Sequence, residues 1–311
     1  MCLEPIPPDE AGPSSNRSLR VAYPWLRHRH EGDLYLPPEA YHRLLKPYIF
    51  DGISDLGHFR QFLGEVTIPG NQVILELGPG TGRATDVLLE RLRPRRLDLL
   101  DQSPRMISFL RNKYSDLSFL RFIESDVVDY FQRPHVAYDL IFSMWSLSHA
   151  IHQNFMQYGT KKGRDLTLNA LANMFQGSLS VGGLFYLMHF DPLSDEQRMI
   201  IRQRQKVFPF LAAPGQSPSK QLIDEVLEGL RRDGVMTWSC KHYAGSPIIY
   251  NNLDEALETI MNFHMEAVLN WSGQVRDVLS ELTGDLRTHM CQDGTISVRP
   301  GCFIYKARRV G

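Results

Sequence analysis

Residues 72–83 read Gln-Val-Ile-Leu-Glu-Leu-Gly-Pro-Gly-Thr-Gly-Arg, and the fold is decided there. Gln72–Leu77 is an apolar run of strand length, followed at once by glycines at 78, 80 and 82. A nearly continuous apolar strand is one covered on both faces, as in a parallel sheet. Glycines in the turn let the backbone bend sharply and let a ligand approach main-chain N–H groups at the start of the next helix. Residues 84–92 supply that helix, with Ala84, Val87, Leu88 and Leu92 on one face. A dinucleotide fingerprint would read G-x-G-x-x-G. Here the third glycine comes one position early, and Arg83 stands where that fingerprint has glycine.

The same alternation continues downstream. Arg96–Asp101 (RLDLLD) reads as a second strand, and Ser103 with Pro104 as the N-cap and first residue of a helix through Tyr114. Residues 117–124 form a third expected strand and 138–142 (YDLIF) a fourth; Gly182-Gly183 introduces a fifth over 184–190. Strands alternating with helices in this way are βαβ units, so an α/β fold with a mostly parallel sheet is expected. Further helices are expected over 149–176, 195–210, 253–269 and 275–290, and one capped by Ser219 runs to Arg232. Residues 235–243 read as a sixth strand and 301–308 as the last. The intervals exceed ordinary connections. The expected organisation is therefore a Rossmann-like core over 70–311, with cap insertions around 150–176, 192–218 and 246–293. Ahead of it stand a flexible Pro- and Ser-rich tail (1–18) and an aromatic-rich segment (19–69), too short to fold alone and assigned as a lid.

Composition narrows the function. The 311 residues carry 34 Lys and Arg against 35 Asp and Glu, with 43 % hydrophobic residues, which excludes collagen-like, coiled-coil and disordered classes. There is no basic surplus or run of the kind nucleic-acid binders carry, so no nucleic-acid partner is expected. Four separated cysteines without a C-x-x-C fit neither a zinc site nor a disulfide framework. No signal-peptide pattern and no apolar run of about 20 residues is present, so a cytoplasmic protein without a membrane partner is expected. Oligomeric state is left open.

The order E-x-G-x-G-x-G after an apolar strand, with Asp101 closing the second strand and Asp126 following the third, resembles the class I S-adenosylmethionine-dependent methyltransferases over roughly residues 70–191. The resemblance implies that family's Rossmann-like fold and S-adenosylmethionine as cofactor. It places Glu76, Gly78, Pro79, Gly80 and Gly82 around the cofactor, with Asp101 on the ribose hydroxyls and Gln102 beside it. Met106 would lie on the adenine face, Asp126 would accept from the adenine amino group near the Val127 N–H, and Ser143 completes the set. Ser178–Gly183 (SLSVGG) resembles the family's Leu-x-x-Gly-Gly before strand five. Taken singly, Asp101 and Asp126 also suit helix N-caps.

The acceptor is marked mainly by what is missing. Ser143-Met-Trp-Ser146 replaces the [DNS]-P-P-[YFW] of amino-methyltransferases, and no Pro-Cys nucleophile sits in that loop. Asp191 lacks the Asp-Asn partners of metal-dependent relatives, and His28-Arg-His30 lacks ligand-spaced carboxylates or thiols, so no metal is expected. In this family the loop after strand four faces the transferred methyl. His149 and His152 are therefore the candidate catalytic residues, able as neutral imidazoles to take or steer an acceptor proton. Trp145, His189 and Tyr23 are candidate substrate contacts. Phe208, Phe210, Trp238, Phe263 and Trp271 suit either core or acceptor lining. The expected function is methyl transfer to a small organic acceptor, possible in specialised metabolism. The alternatives are a peptide or protein methyltransferase, a cofactor-binding protein of this fold that does not methylate, and a NAD-dependent oxidoreductase.

Overall fold

The computed structural model describes residues 18–19, 21–26, 36–68, 72–133, 136–207, 217–265, 269–270 and 272–311. Residues 1–17 of the expected tail, His28–His30, Phe208, Phe210 and Trp271 lie outside them. Seven strands form the central sheet: β3 (Val73–Leu77), β4 (Arg96–Asp101), β5 (Leu120–Glu124), β6 (Tyr138–Met144), β7 (Leu179–Phe190), β8 (Met236–Ala244) and β11 (Gly301–Arg309). Their order is β5-β4-β3-β6-β7-β11-β8. The first five are parallel, and β11 runs antiparallel between β7 and β8. A short hairpin, β1 (Ile49–Phe50) with β2 (Ile53–Ser54), and the pair β9 (Ile248–Tyr250) with β10 (Ile296–Val298) lie outside this sheet.

Helices cover both faces, which explains why β3 is apolar but for Glu76. Ile74 packs into one core with Phe59, Phe62, Leu88 and Leu110; Val73, Leu75 and Leu77 face a second core with Ile151, Phe155, Leu171 and Ile223. The first layer contains α2 (Asp55–Glu65), α3 (Arg83–Arg91) and α4 (Pro104–Lys113). The second contains α5 (Val127–Tyr130), α6 (Leu147–Tyr158), α7 (Thr160–Ala172) and α9 (Pro218–Arg232). Four further helices are α1 (Pro38–Leu44), α8 (Asp195–Val207), α10 (Leu253–Thr259) and α11 (Val275–Thr288). Strand order reverses between β3 and β6, which opens a crevice beyond their carboxyl ends.

Several boundaries move for physical reasons. The helix expected over 149–176 breaks at Gly159, whose φ of 75° and ψ of 175° end α6 and start α7. That stretch is the crossover layer of the sheet rather than a cap insertion, and only its first turns reach the crevice. The helix expected over 253–269 ends as α10 and continues as a π-helical turn, Ile260–His264. Ser217, not Ser219, caps α9, accepting from the Lys220 N–H. Strand five begins at Leu179 and runs through the glycine pair; a Cβ on Gly183 would stand 2.7 Å from the Ser180 carbonyl oxygen. No helix among the described residues is long and apolar enough to cross a membrane.

Candidate active site

Beyond the carboxyl ends of β3 and β6, the glycine loop adopts a backbone that residues with a Cβ rarely take, with φ of 66° at Gly78, 54° at Gly80 and 81° at Gly82. Its ends are crowded and its middle is open. A Cβ on Gly78 would lie 2.1 Å from Ser146 Oγ and one on Gly82 2.4 Å from the Tyr114 hydroxyl, whereas one on Gly80 would meet nothing within 4 Å. The Gly80 N–H donates to Asp101 Oδ2 (3.1 Å), and the Ser103 N–H donates to Oδ1 (2.9 Å). Both carboxylate oxygens keep lone pairs for further donors. The cavity here is lined by Gly78, Gly80, Asp101, Gln102, Met106, Asp126 and Val127.

Asp126 is a helix cap that also borders the cavity. Its Oδ1 accepts from the main-chain N–H groups of Val128 (2.7 Å) and Asp129 (3.1 Å), capping α5, while the residue also lines the cavity. Burial raises its pKa.

Four residues assigned to the cofactor stand behind this surface rather than on it. Glu76 is buried, accepts from Thr85 Oγ1 at 2.6 Å and so ties β3 to α3; burial pushes its carboxyl up to about 8. The Ser143 hydroxyl donates to the Leu77 carbonyl (3.1 Å) and accepts from the Leu147 N–H (3.2 Å), joining β3 to the start of α6. Pro79 and Gly82 close the turn through the Gly82 N–H on the Pro79 carbonyl at 2.8 Å. None of the four lines the cavity: Glu76 and Ser143 are turned to partners within the fold, and Pro79 and Gly82 shape the turn.

The cavity continues past the loop after β6. Trp145, at a φ of 72°, donates its Nε1–H to Asp55 Oδ2 at 3.2 Å, and the same carboxylate meets Arg83 at 3.3 Å. The Trp145 ring lies 4.5 Å from that of Phe190 and 5.1 Å from that of Tyr48, forming an aromatic belt. Beyond the belt are His149 and His152 from α6, His189 from β7, and Gln197, Ile200, Ile201 and Arg204 from α8. The π-helical turn contributes Asn262, Phe263 and His264.

Burial dominates the electrostatics of this end. It lowers His152 well below the usual histidine range, helped by the positive charge of Arg204, and the His152 Nε2 has no hydrogen-bond partner. Burial lowers His189 to about 4; its Nε2 lies 2.9 Å from Ser219 Oγ and its Nδ1 2.6 Å from the Phe190 carbonyl. His264 is lowered in the same way, although Glu196 opposes the shift. These imidazoles are neutral at pH 7.

The structure brings Trp145, His149, His152 and His189 together on one wall. Tyr23 is absent from it: its ring packs edge-on against Trp25 at 5.3 Å, and the leader instead presents Leu36, Tyr41, Leu45 and Tyr48. Trp238 lies on β8, stacked with Tyr305 at 6.1 Å and away from the cavity. Sequence reasoning missed Tyr41, Arg204, Asn262 and His264 and gave Arg83 no binding role. The helical spacing 197, 200, 201, 204 was a usable signal for one face of α8; the π-helical turn offered none. Among the described residues no three His, Cys, Asp or Glu side chains are grouped to hold a metal ion.

Residues 74–161 match a family described as a methyltransferase domain. A malonyl-[acyl-carrier protein] O-methyltransferase of Ilyobacter polytropus is 44 % identical over 70 residues, 22 % of this chain and 25 % of the relative. A trans-aconitate 2-methyltransferase of Acidovorax sp. is 35 % identical over 94 residues, 29 % of this chain and 34 % of the relative. The chain thus spans between a quarter and about a third of the length of these curated relatives. Among solved structures, the YcgJ protein of Bacillus subtilis superposes with a TM-score of 0.48 at 13 % identity, covering 82 % of this chain and 100 % of that one.

Proposed function

We propose that this chain, which carries a class I methyltransferase domain, transfers a methyl group from S-adenosylmethionine to a small organic acceptor. The observation that carries the reading is one cavity running from the glycine loop, Asp101 and Asp126, past the aromatic belt, to the buried histidines. The residues suit the cofactor. Gly80 leaves open space where a Cβ would intrude, Asp101 offers acceptors to a diol, and Met106 gives an apolar face. When bound, the cofactor supplies a methyl group activated by its sulfonium for in-line displacement.

The chain's own residues then bind, orient and exclude water. Arg83, beside the glycine loop and paired to Asp55, is assigned to the cofactor's carboxylate. Trp145, Tyr48 and Phe190 hold the acceptor against the transfer point and keep water out, so positioning supplies much of the rate. For an acceptor with an O–H or N–H, His149 and His152 take or steer the proton. His152 is held neutral and its Nε2 is unpartnered, so it has a lone pair or an N–H to offer. Loss of a general base lowers kcat by about 10²–10⁴. His149→Ala is expected to do so with S-adenosylhomocysteine affinity unchanged within about twofold.

The aromatic and histidine side chains gathered at the far end of the cavity favour a small acceptor over a peptide, which would need an open groove. The test has two stages. Calorimetry should show S-adenosylhomocysteine binding and no NAD binding. Labelled S-adenosylmethionine should then label a low-mass product in a metabolite extract. Label found only in protein would favour the peptide reading, and cofactor binding without transfer to any extract would favour a non-methylating role.

A further inference from the structure

We propose that Arg204 recognises a carboxylate, and that the acceptor is a monocarboxylic acid with an apolar or aromatic body. The proposal rests on the methyltransferase reading and names the acceptor's chemistry. Arg204 lies on α8 and is only 9 % exposed, yet lines the cavity. Its Nη2 donates to the His264 carbonyl at 3.0 Å, and its Nε–H has no partner. No carboxylate among the described residues pairs with it. A guanidinium does not shed its proton, and a buried charge without a counter-charge is costly.

The surroundings do not supply that charge. Around Arg204 stand imidazoles, and its own charge helps to hold His152 and His264 neutral. Among the described residues, Glu196 beside His264 is engaged elsewhere. Tyr48 donates to its Oε1 at 3.1 Å, Gln197 donates to its Oε2 at 3.3 Å, and His264 Nε2 stands 3.5 Å away. The half-buried Arg96 looks different: it is matched to the buried Asp98.

An anionic ligand therefore completes the site. One fixed positive charge among neutral histidines matches a monoanion, and the planar fork of a guanidinium matches the two oxygens of a carboxylate. Between Arg204 and the glycine loop the walls are Trp145, Phe190, Phe263, Ile200 and Ile201, which suit an apolar or aromatic body.

The experiment uses the full chain saturated with S-adenosylhomocysteine. 3-Phenylpropionate, 4-phenylbutyrate, cinnamate and octanoate are each compared with the matching carboxamide by calorimetry, with phenyl phosphate as a further probe. At least one acid is expected to bind about tenfold or more tightly than its amide, because charge-assisted bonds are roughly twice as strong as neutral ones. Arg204→Gln should erase that preference and leave S-adenosylhomocysteine affinity within about twofold; Arg204→Lys should retain part of it. The proposal is overturned if no acid outbinds its amide, if phenyl phosphate outbinds every acid, or if Arg204→Gln keeps the preference. Weakened S-adenosylhomocysteine binding in both variants would also overturn it, by moving Arg204 to the cofactor. Should wild-type protein not bind S-adenosylhomocysteine at all, the methyltransferase reading falls first and this proposal with it.

Discussion

At the glycine-loop end of the cavity, the lining comes from segments that follow β3, β4 and β5 within a few residues, and main-chain groups do much of the work. At the histidine end, the lining is side chain, drawn from α1, α6, α8, the end of β7 and a π-helical turn. The first end is built from short-range geometry and can be conserved in form whatever the acceptor. The second is assembled from elements far apart in sequence, so it is where an acceptor can be specified. If that division holds, substitutions at the two ends should fail in different ways.

The largest effect is expected in the loop. Gly78→Ala combines left-handed backbone strain of about 1–2 kcal/mol with a Cβ driven onto Ser146. It should abolish S-adenosylhomocysteine binding and lower the melting temperature by about 4–10 °C. Gly80→Ala carries the strain without the collision, so its melting temperature should fall by about 2–4 °C while binding is lost through intrusion into the cavity. Equal melting temperatures would show that Ser146 yields and that the loop is not pinned at Gly78.

Asp101→Ala comes next. Charge-assisted bonds are worth about 1.5–3 kcal/mol each, so affinity for S-adenosylhomocysteine should fall at least about tenfold. Because Asp101 also accepts from Gly80 and Ser103, Asp101→Asn should lose less than Asp101→Ala. Unchanged calorimetric affinity in both would detach the end of β4 from the cofactor.

Stability should depend on pH in opposite senses at the two ends. Folding lowers His189 from 6.5 to about 4, so between those values the unfolded chain binds a proton that the native chain does not. Stability from this group is full above 6.5 and falls as pH drops toward 4. Glu76, raised from 4.5 to about 8, stays protonated in the fold while the unfolded chain ionises, so its contribution falls as pH rises through that window. Each effect is on the order of a few kcal/mol. Melting curves from pH 4 to 8 should show His189→Gln flattening the acid side and Glu76→Gln the alkaline side. A single variant flattening both would mean that the ends are not separable.

The smallest effect distinguishes two tyrosines of the leader. Tyr41→Ala removes a cavity wall that packs on Phe263 at 4.9 Å and should raise acceptor KM severalfold. Tyr23→Ala, off the cavity, should leave KM unchanged. The reverse ranking in steady-state kinetics would restore Tyr23 to the site.

The unequal legibility of the two ends follows from the same construction. β4 was read from Arg96 to Asp101, and the cap at Ser103, because strand length, Pro104 and the capping hydroxyl are local signals. The family resemblance assigns Gly78, Gly80, Asp101, Met106 and Asp126, which line the cavity, and equally Glu76 and Ser143, which do not, because a motif position does not tell which way a side chain points. Helical spacing puts Arg204 on one face of α8 but does not say what that face meets, and His264 carries no such signal; their meaning comes from meeting one another. Ser219 was mistaken for a cap because Ser217 lies two residues before it with the same chemistry and the same neighbour, their hydroxyls 2.8 Å apart. Tyr23 and Tyr41 stand in one aromatic-rich leader, and nothing in its composition said which ring would face inward.

The leader is stitched to the far end of the chain. Trp25 Nε1–H donates to Asp254 Oδ1 at 2.9 Å, Asn262 Nδ2–H donates to the Trp25 carbonyl at 2.9 Å, and Lys46 pairs with Glu255 and Arg43 with Glu258. These partners lie 209 to 237 residues apart. Contacts of that separation form only after a long loop has closed, so they come late in folding. During synthesis Trp25, Arg43 and Lys46 must wait for Asp254, Glu258 and Glu255, and Tyr41 for Phe263, before they can pair. The five parallel strands and the glycine loop are made before then, while β11, which joins β7 to β8, comes later still. The acceptor end is thus closed late, and a nascent or truncated chain that ends before Asp254 lacks both the π-helical turn that lines it and the side chains that hold the leader over it.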